Sequence, residues 1–286
     1  MAKLTSQSYV KIALVVLLTL ALFGVLGFGS CSSWRFWHPG GAGQMLGSTS
    51  VEATSIRNIE IDWAAGSASV AVGEGEGNEI ELVETSNGSL SKAQSLRWSV
   101  TGDTLKVDYG SGWSCMSLAS KHLEVRVPKS LAASMGLLSI DGASGDYAVD
   151  GISCDKLQVQ LASGKLDAQG VRARQLDLDA ASGTMRVRGV FAESVRTNVA
   201  SGKAEVTCDS TCPKTISADM ASGNVSMTIP ENDGFTLKAD CVSGSYSFRN
   251  TFEVVEEGEN IYRYKDGGIP INLTIISGNF QLEKGV

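Results

Sequence analysis

With 286 residues, the chain is long enough for one large domain or two small ones with a sizeable core. Its 24 basic and 31 acidic residues give a formal net charge of −7, which argues against nucleic acid or anionic lipid headgroups as partners, since those need a basic face. Only two histidines, His38 and His122, are present, so little is on offer for general acid–base or metal chemistry. With 32 glycines against 5 prolines, the turns fall to glycine.

Residues 1–11 read as a short cytoplasmic N-terminus. Residues 12–29 contain no charge, and eighteen residues of helix reach about 27 Å, enough to cross a hydrocarbon core. Lys3 and Lys11 precede this stretch and only Arg35 closely follows it. The positive-inside bias therefore puts the remainder outside the cytoplasm. Trp34, Phe36 and Trp37 suit the outer interface. Three readings of this segment remain open: a signal anchor, a cleaved signal peptide, and a lipoprotein signal with Cys31 as the lipidated residue. The length favours the anchor, while Gly27-Phe28-Gly29-Ser30-Cys31 resembles a degenerate lipobox. Residues 30–55 read as an extracytoplasmic tether, rich in Gly and Ser from 38 onward.

The region 56–135 reads as an irregular N-terminal β region and cap. Ile59–Val72 alternates apolar and polar residues around a small-residue turn, and Ile80–Glu84, Ser95–Thr101, Thr104–Tyr109 and His122–Val127 read as further strands. Gly73–Gly77 is a loop.

From 136 to 286 the chain repeats itself. A small-residue/Ser/Gly triplet recurs at Ser144-Gly145, Ser163-Gly164, Ser182-Gly183, Ser201-Gly202, Ser222-Gly223, Ser243-Gly244 and Ser277-Gly278. The Ser residues are first 19 and then 21 apart, with a final gap of 34. Before each Ser, strict alternation places Leu157/Val159/Leu161 or Leu176/Leu178/Ala180 on one side, and the pattern resumes after the Gly with pairs such as Leu166/Ala168 and Val225/Met227. Period-2 alternation marks strands with one buried face. One such unit cannot bury its apolar side alone, whereas equal units stacked at about 4.8 Å close a continuous core. The fold class is therefore all-β, a β-solenoid of stacked two-strand coils of 19–21 residues, preceded by the β cap and one transmembrane helix. Gly at the corner is expected to supply positive φ, and the Ser hydroxyls are expected to bond neighbouring turns. Residues 251–264 read as an inserted hairpin that covers or extends the last coils.

The Ile-Glu-Ile-Asp-Trp-Ala-Ala-Gly opening (59–66), the Leu-x-Val-x-x-Ala-Ser-Gly coils and the closing Ile-Asn-Leu-Thr-Ile-Ile-Ser-Gly-Asn-Phe (271–280) resemble the bacterial "putative adhesin" β-strand-repeat family, a domain of unknown function. The resemblance runs from about residue 56 to the C-terminus. It implies a membrane-anchored module of the cell envelope and transfers no catalytic residues. For some relatives it implies a part in envelope-stress sensing.

Within the repeat, Asp62, Asp141, Gln160, Asp179, Asn198, Asp219, Asp240 and Thr274 share one outward position. Asp219 and Asp240 are expected side by side, which makes them the candidate Ca²⁺ pair. A flat strand supplies few of the six to eight oxygens that Ca²⁺ takes, so a solvated strand face is the favoured reading. Arg196 and Asp177 are expected to form a cross-strand ion pair. The Ser ladder lacks a repeating base beside it and is read as structural. Cys208 and Cys212 flank a lengthened return loop and are the candidate disulfide, Cys115–Cys154 is a possible second pair, and Cys241 is a buried thiol.

The expected function is non-catalytic binding or scaffolding at the envelope. The partners would be the membrane together with an envelope polymer or another surface protein, and no cofactor is expected. The alternatives are a stress-sensing component and, further off, a carbohydrate-active solenoid enzyme.

Overall fold

A computed structural model describes residues 45–110, 120–249 and 252–285. The predicted span 12–29, most of the tether, Cys31 and Cys115 lie outside the described residues. Among the described residues no helix is long and apolar enough to cross a membrane. The strands are β1 (Met45–Leu46), β2 (Thr49–Glu52), β3 (Asn58–Trp63), β4 (Gly66–Val72), β5 (Glu79–Ser86), β6 (Arg97–Thr101), β7 (Thr104–Asp108) and β8 (Lys121–Val127). After a one-turn helix α1 (Lys129–Ala132) come β9 (Met135–Asp150), β10 (Ser153–Val199), β11 (Lys203–Cys208), β12 (Thr215–Met220), β13 (Asn224–Ile229), β14 (Gly234–Cys241) and β15 (Ser245–Arg249). The chain ends with β16 (Val255–Gly258), β17 (Ile261–Lys265), β18 (Ile269–Ile275) and β19 (Asn279–Lys284). Strands β1 and β2 lie inside the stretch expected to be a tether, and β2 pairs antiparallel with β5, Val51 opposite Ile80.

The coils stack in register. Leu157, Val159 and Leu161 lie opposite Leu138, Ile140 and Gly142, and Ser163-Gly164 opposite Ser144-Gly145, all in parallel pairing. β10 runs unbroken for 47 residues because the chain bends at each corner without leaving the ladder. Alternation decides which side is buried: β12 and β13 both bury every second residue. Ile59, Leu138, Leu157, Leu176, Val195, Ile216, Ile271 and Leu237 form one fully buried file along the rod.

The order of the rungs departs from chain order at both ends. β18 pairs with β12 on one side and with β14 on the other, and β19 lies likewise between β13 and β15. The last coil in sequence is therefore the second from the end in space. At the other end the first coil, β3–β4, sits between β7–β8 and β9. Both terminal coils gain ladder hydrogen bonds on two sides, and the outermost rungs are made by internal segments held at both ends. Fraying of the chain termini cannot unzip a rod built this way.

Antiparallel strands cover most of the terminal rungs. β6 lies on β7 and β5 on β8 at the N-terminal end. The predicted hairpin appears as β16–β17 and lies on β14 at the C-terminal end.

Candidate functional site

The outward polar file is the feature of the rod that most resembles a site. Backbone register sets its order as Asp108, Asp62, Asp141 and Gln160. Asp179, Asn198, Asp219, Thr274 and Asp240 continue it. Asp219 and Asp240 are thus not neighbours. β18 enters between them and puts Thr274 opposite both, so two rung spacings, roughly 9.6 Å, separate the carboxylates. Among the described residues no group of three His, Cys, Asp or Glu side chains could hold a metal ion.

The adjacent acids lie instead at the N-terminal end. Asp62 stands between Asp108 and Asp141 on three consecutive strands. Burial, with the Asp141 and Asp108 charges beside it, raises the Asp62 carboxyl to about 7. Burial also raises Asp141. Asp179 is raised by burial too, opposed by Asn198 Nδ2, which donates to its Oδ1 at 2.5 Å. The sequence did not reveal the triple row because the register of β7 against β3 could not be read from it.

The Ser-Gly corners form a second file. The Ser201, Ser222, Ser243 and Ser277 hydroxyls donate to the carbonyls of Ala181, Ala200, Ile276 and Ala221 at 2.9–3.2 Å, each on the neighbouring rung. The glycines serve a purpose other than the one expected. Of the seven, only Gly145 and Gly164 have φ in the region that strains other residues, at +151° and +131°. What the file shares is close approach. A Cβ on Gly164, Gly183, Gly202 or Gly278 would come within 3 Å of the carbonyl oxygen of the glycine one rung before it, and one on Gly223 would also press on Val199. Stacked backbones leave no room for a side chain.

The outer flank carries cross-rung ion pairs. Arg174 reaches Glu193 at 2.7 Å, Arg186 reaches Glu205 at 2.6 Å, and Arg188 reaches Asp209 at 2.8 Å. Asp177 pairs with Lys156 at 2.6 Å in place of the expected Arg196. Arg196 lends its charge to Asp179 instead.

Two features of the first rungs were not foreseen. The Lys121 side chain is wholly buried, and its ammonium donates to Glu84 Oε1 at 2.6 Å and to the carbonyls of Gln94 (2.8 Å) and Tyr109. It also lies over the rings of Trp63 (4.7 Å) and Tyr109 (3.9 Å). Glu84 in turn accepts the Leu96 N–H with both oxygens. This clamp joins β5, β8 and the loop before β6 to the first core tryptophan. The second feature is Ser67 Oγ, which lies 2.7 Å from His122 Nδ1 across β4 and β8. That pair sits on the outside of a flat strand pair, with His122 exposed.

The expected Cys208–Cys212 bond is not formed, and both are free thiols. Cys208 continues the inward alternation of β11 and lies in the core, where burial raises its thiol well above the usual range. Cys212 packs against the core from the return loop and is raised to about 12 by burial. Cys154 is a buried free thiol, and Cys241 is a free thiol only partly buried.

No curated protein matches the chain. Among solved structures, it is similar to a "putative cell adhesion protein" from Clostridium sporogenes, at 12% identity over 85% of this chain and 100% of that one, with a TM-score of 0.40. It is also similar to a "putative adhesin" from Bacteroides fragilis, at 11% identity over 84% of this chain and 97% of that one, with a TM-score of 0.45. A third, a "putative adhesin" from Parabacteroides distasonis, shows 11% identity over 84% and 97%, with a TM-score of 0.42. The Toastrack DUF4097 family profile matches residues 56–283, which span the cap and every coil of the rod, and the chain belongs to that family.

Proposed function

We propose that this protein is a non-catalytic binding or scaffold module of the cell envelope, held to the membrane by its N-terminal segment. One observation carries the reading. The rungs lie in register, so the rod offers long, flat flanks on which polar side chains repeat at about 4.8 Å. On the second-strand side, Asn224, Ser226 and Thr228 lie level with Asn279, Gln281 and Glu283. Such a ruled surface suits an extended polymer or another elongated surface protein better than a small substrate, which binds in concave sites. The uncharged N-terminal run, with Lys3 and Lys11 before it against Arg35 alone close after it, supports the extracytoplasmic placement.

The Ser67–His122 contact favours a second reading, hydrolysis, because it pairs a hydroxyl with a base at hydrogen-bond distance. The two readings differ in turnover. The full chain is incubated with cell-wall and plant polysaccharides and with simple esters, and both binding and product are measured. Retention of a polysaccharide or a surface protein without product supports the binding reading. Product formation that Ser67→Ala, Asp219→Asn or Asp240→Asn abolishes overturns it.

A further inference from the structure

We propose that the outer edge of β15 pairs antiparallel with the same strand of a second copy of this chain, joining two rods tail to tail. Four strands end the two main faces of the rod. β7 is covered by β6, β8 by β5 and β14 by β17. Among the described residues β15 has a strand partner on one side only, β19. An uncovered edge is a template for another strand, and proteins that keep one open without pairing it guard it with lysine, proline or a bulge. β15 reads Ser245-Tyr246-Ser247-Phe248-Arg249: it has no lysine, proline or bulge, and its one charge, Arg249, stands at its end.

Its hydrogen-bonding phase fits a two-fold pairing. Past the corner, where Val242 and Ser243 both donate inward, the Ser245 amide donates to Gly278 at 3.0 Å, so within β15 the odd-numbered residues turn their backbone groups toward the rod. Tyr246 and Phe248, between them, turn theirs outward. Antiparallel pairing centred on Ser247 sets Tyr246 opposite Phe248 of the second copy, and each such pair exchanges both of its hydrogen bonds. Ser247 then faces Ser247 of the second copy across a non-hydrogen-bonded position, where side chains come closest.

Side chains and charge agree with this register. Tyr246 and Phe248 lie in the inward file and are only half-buried, with Tyr262 at 5.5 and 5.6 Å from their rings. The pairing would continue the core from one rod into the next through aromatic cross-strand contacts. Among the described residues, two of the three exposed large apolar side chains are also at this end: Val242, 46% exposed, and Val255, 61% exposed. The single charge of β15, Arg249, falls opposite Ser245 of the second copy, so like charges do not meet. Head-to-tail stacking is closed off because antiparallel strands cover the other end, which leaves the closed two-fold arrangement. The pairing concerns the end of the rod and not its polar flank, so it stands or falls separately from the flank-binding reading.

Sedimentation of the purified full chain tests it. The wild type is expected to sediment as a dimer. Ser247→Lys sets two ammonium groups on the two-fold axis and should weaken association about tenfold or more, with an unchanged circular dichroism spectrum and melting temperature. Ser247→Cys should give a reducible covalent dimer in air beyond any formed by the wild type, whereas Ser226→Cys, on an interior rung, should not. A wild-type monomer, a dimer that survives Ser247→Lys, or a Ser247→Cys variant no more cross-linked than the wild type overturns the proposal.

Discussion

The Lys121 ammonium meets the Glu84 carboxylate at 2.6 Å, with the two side chains 0% and 4% exposed. Each charge is compensated by the other and by fixed dipoles: the carbonyls of Gln94 and Tyr109 on one side, the Leu96 amide on the other. Burial lowers the Lys121 pKa and the Glu84 contact opposes that effect. Removing one partner strands the other without water. Lys121→Met is therefore expected to destabilise the fold by about 3–5 kcal/mol, and the double variant Lys121→Met/Glu84→Gln by less. Urea unfolding of the two variants beside the wild type checks the ranking.

Stability should fall as pH rises from about 4 toward 7. The Asp62 carboxyl is raised in the fold from 3.8 to about 7, because burial and the neighbouring Asp141 and Asp108 disfavour its charge. The folded state thus holds a proton that the unfolded chain releases near pH 4, and the favourable contribution is present below that pH and lost as pH climbs through the folded value. A tenfold difference in proton affinity between folded and unfolded chain is worth about 1.4 kcal/mol, so the change amounts to a few kcal/mol at most. Asp62→Asn should flatten the dependence. A urea midpoint that varies with pH as much in Asp62→Asn as in the wild type would count against this assignment.

Gly202→Ala should cost about 1–3 kcal/mol, since its new methyl would lie against the Gly183 carbonyl, which the ladder prevents from moving away. Gly88→Ala, where nothing lies within 4 Å, should be close to neutral. Melting temperatures of the pair compare contact directly, because neither residue has a positive φ.

Phe235 is fully buried and packs against Phe252 at 5.1 Å and Tyr264 at 5.3 Å, fixing the β16–β17 hairpin over the last rung. Phe235→Ala is expected to cost about 3–5 kcal/mol. The loss should appear first as faster amide exchange in residues 234–265, before the middle rungs respond.

The coils were legible because their signals are local. Alternation at Leu157-Gln158-Val159-Gln160-Leu161 settles which side of the strand is buried, and equal spacing of Ser163, Ser182 and Ser201 implies equal rise. The glycine file was found from spacing, but its cause was not, because backbone-to-backbone distance between rungs leaves no mark within a single rung. The Ser67–His122 contact leaves no mark in the sequence, because 55 residues separate its members and only the β4–β8 register joins them.

The sequence by itself determined that this chain stacks strands into a rod, which residues point inward and where the corners fall, since each of these follows from side-chain periodicity along a few residues. The tertiary structure decided which rung lies beside which. It placed β18–β19 inside β14–β15, parted Asp219 from Asp240, gathered Asp108, Asp62 and Asp141, sealed Lys121 against Glu84 and left β15 at the end. Neighbouring strands compete for one another through nearly identical apolar files, so their order is settled by the loops, caps and buried pairs that only the assembled fold brings together.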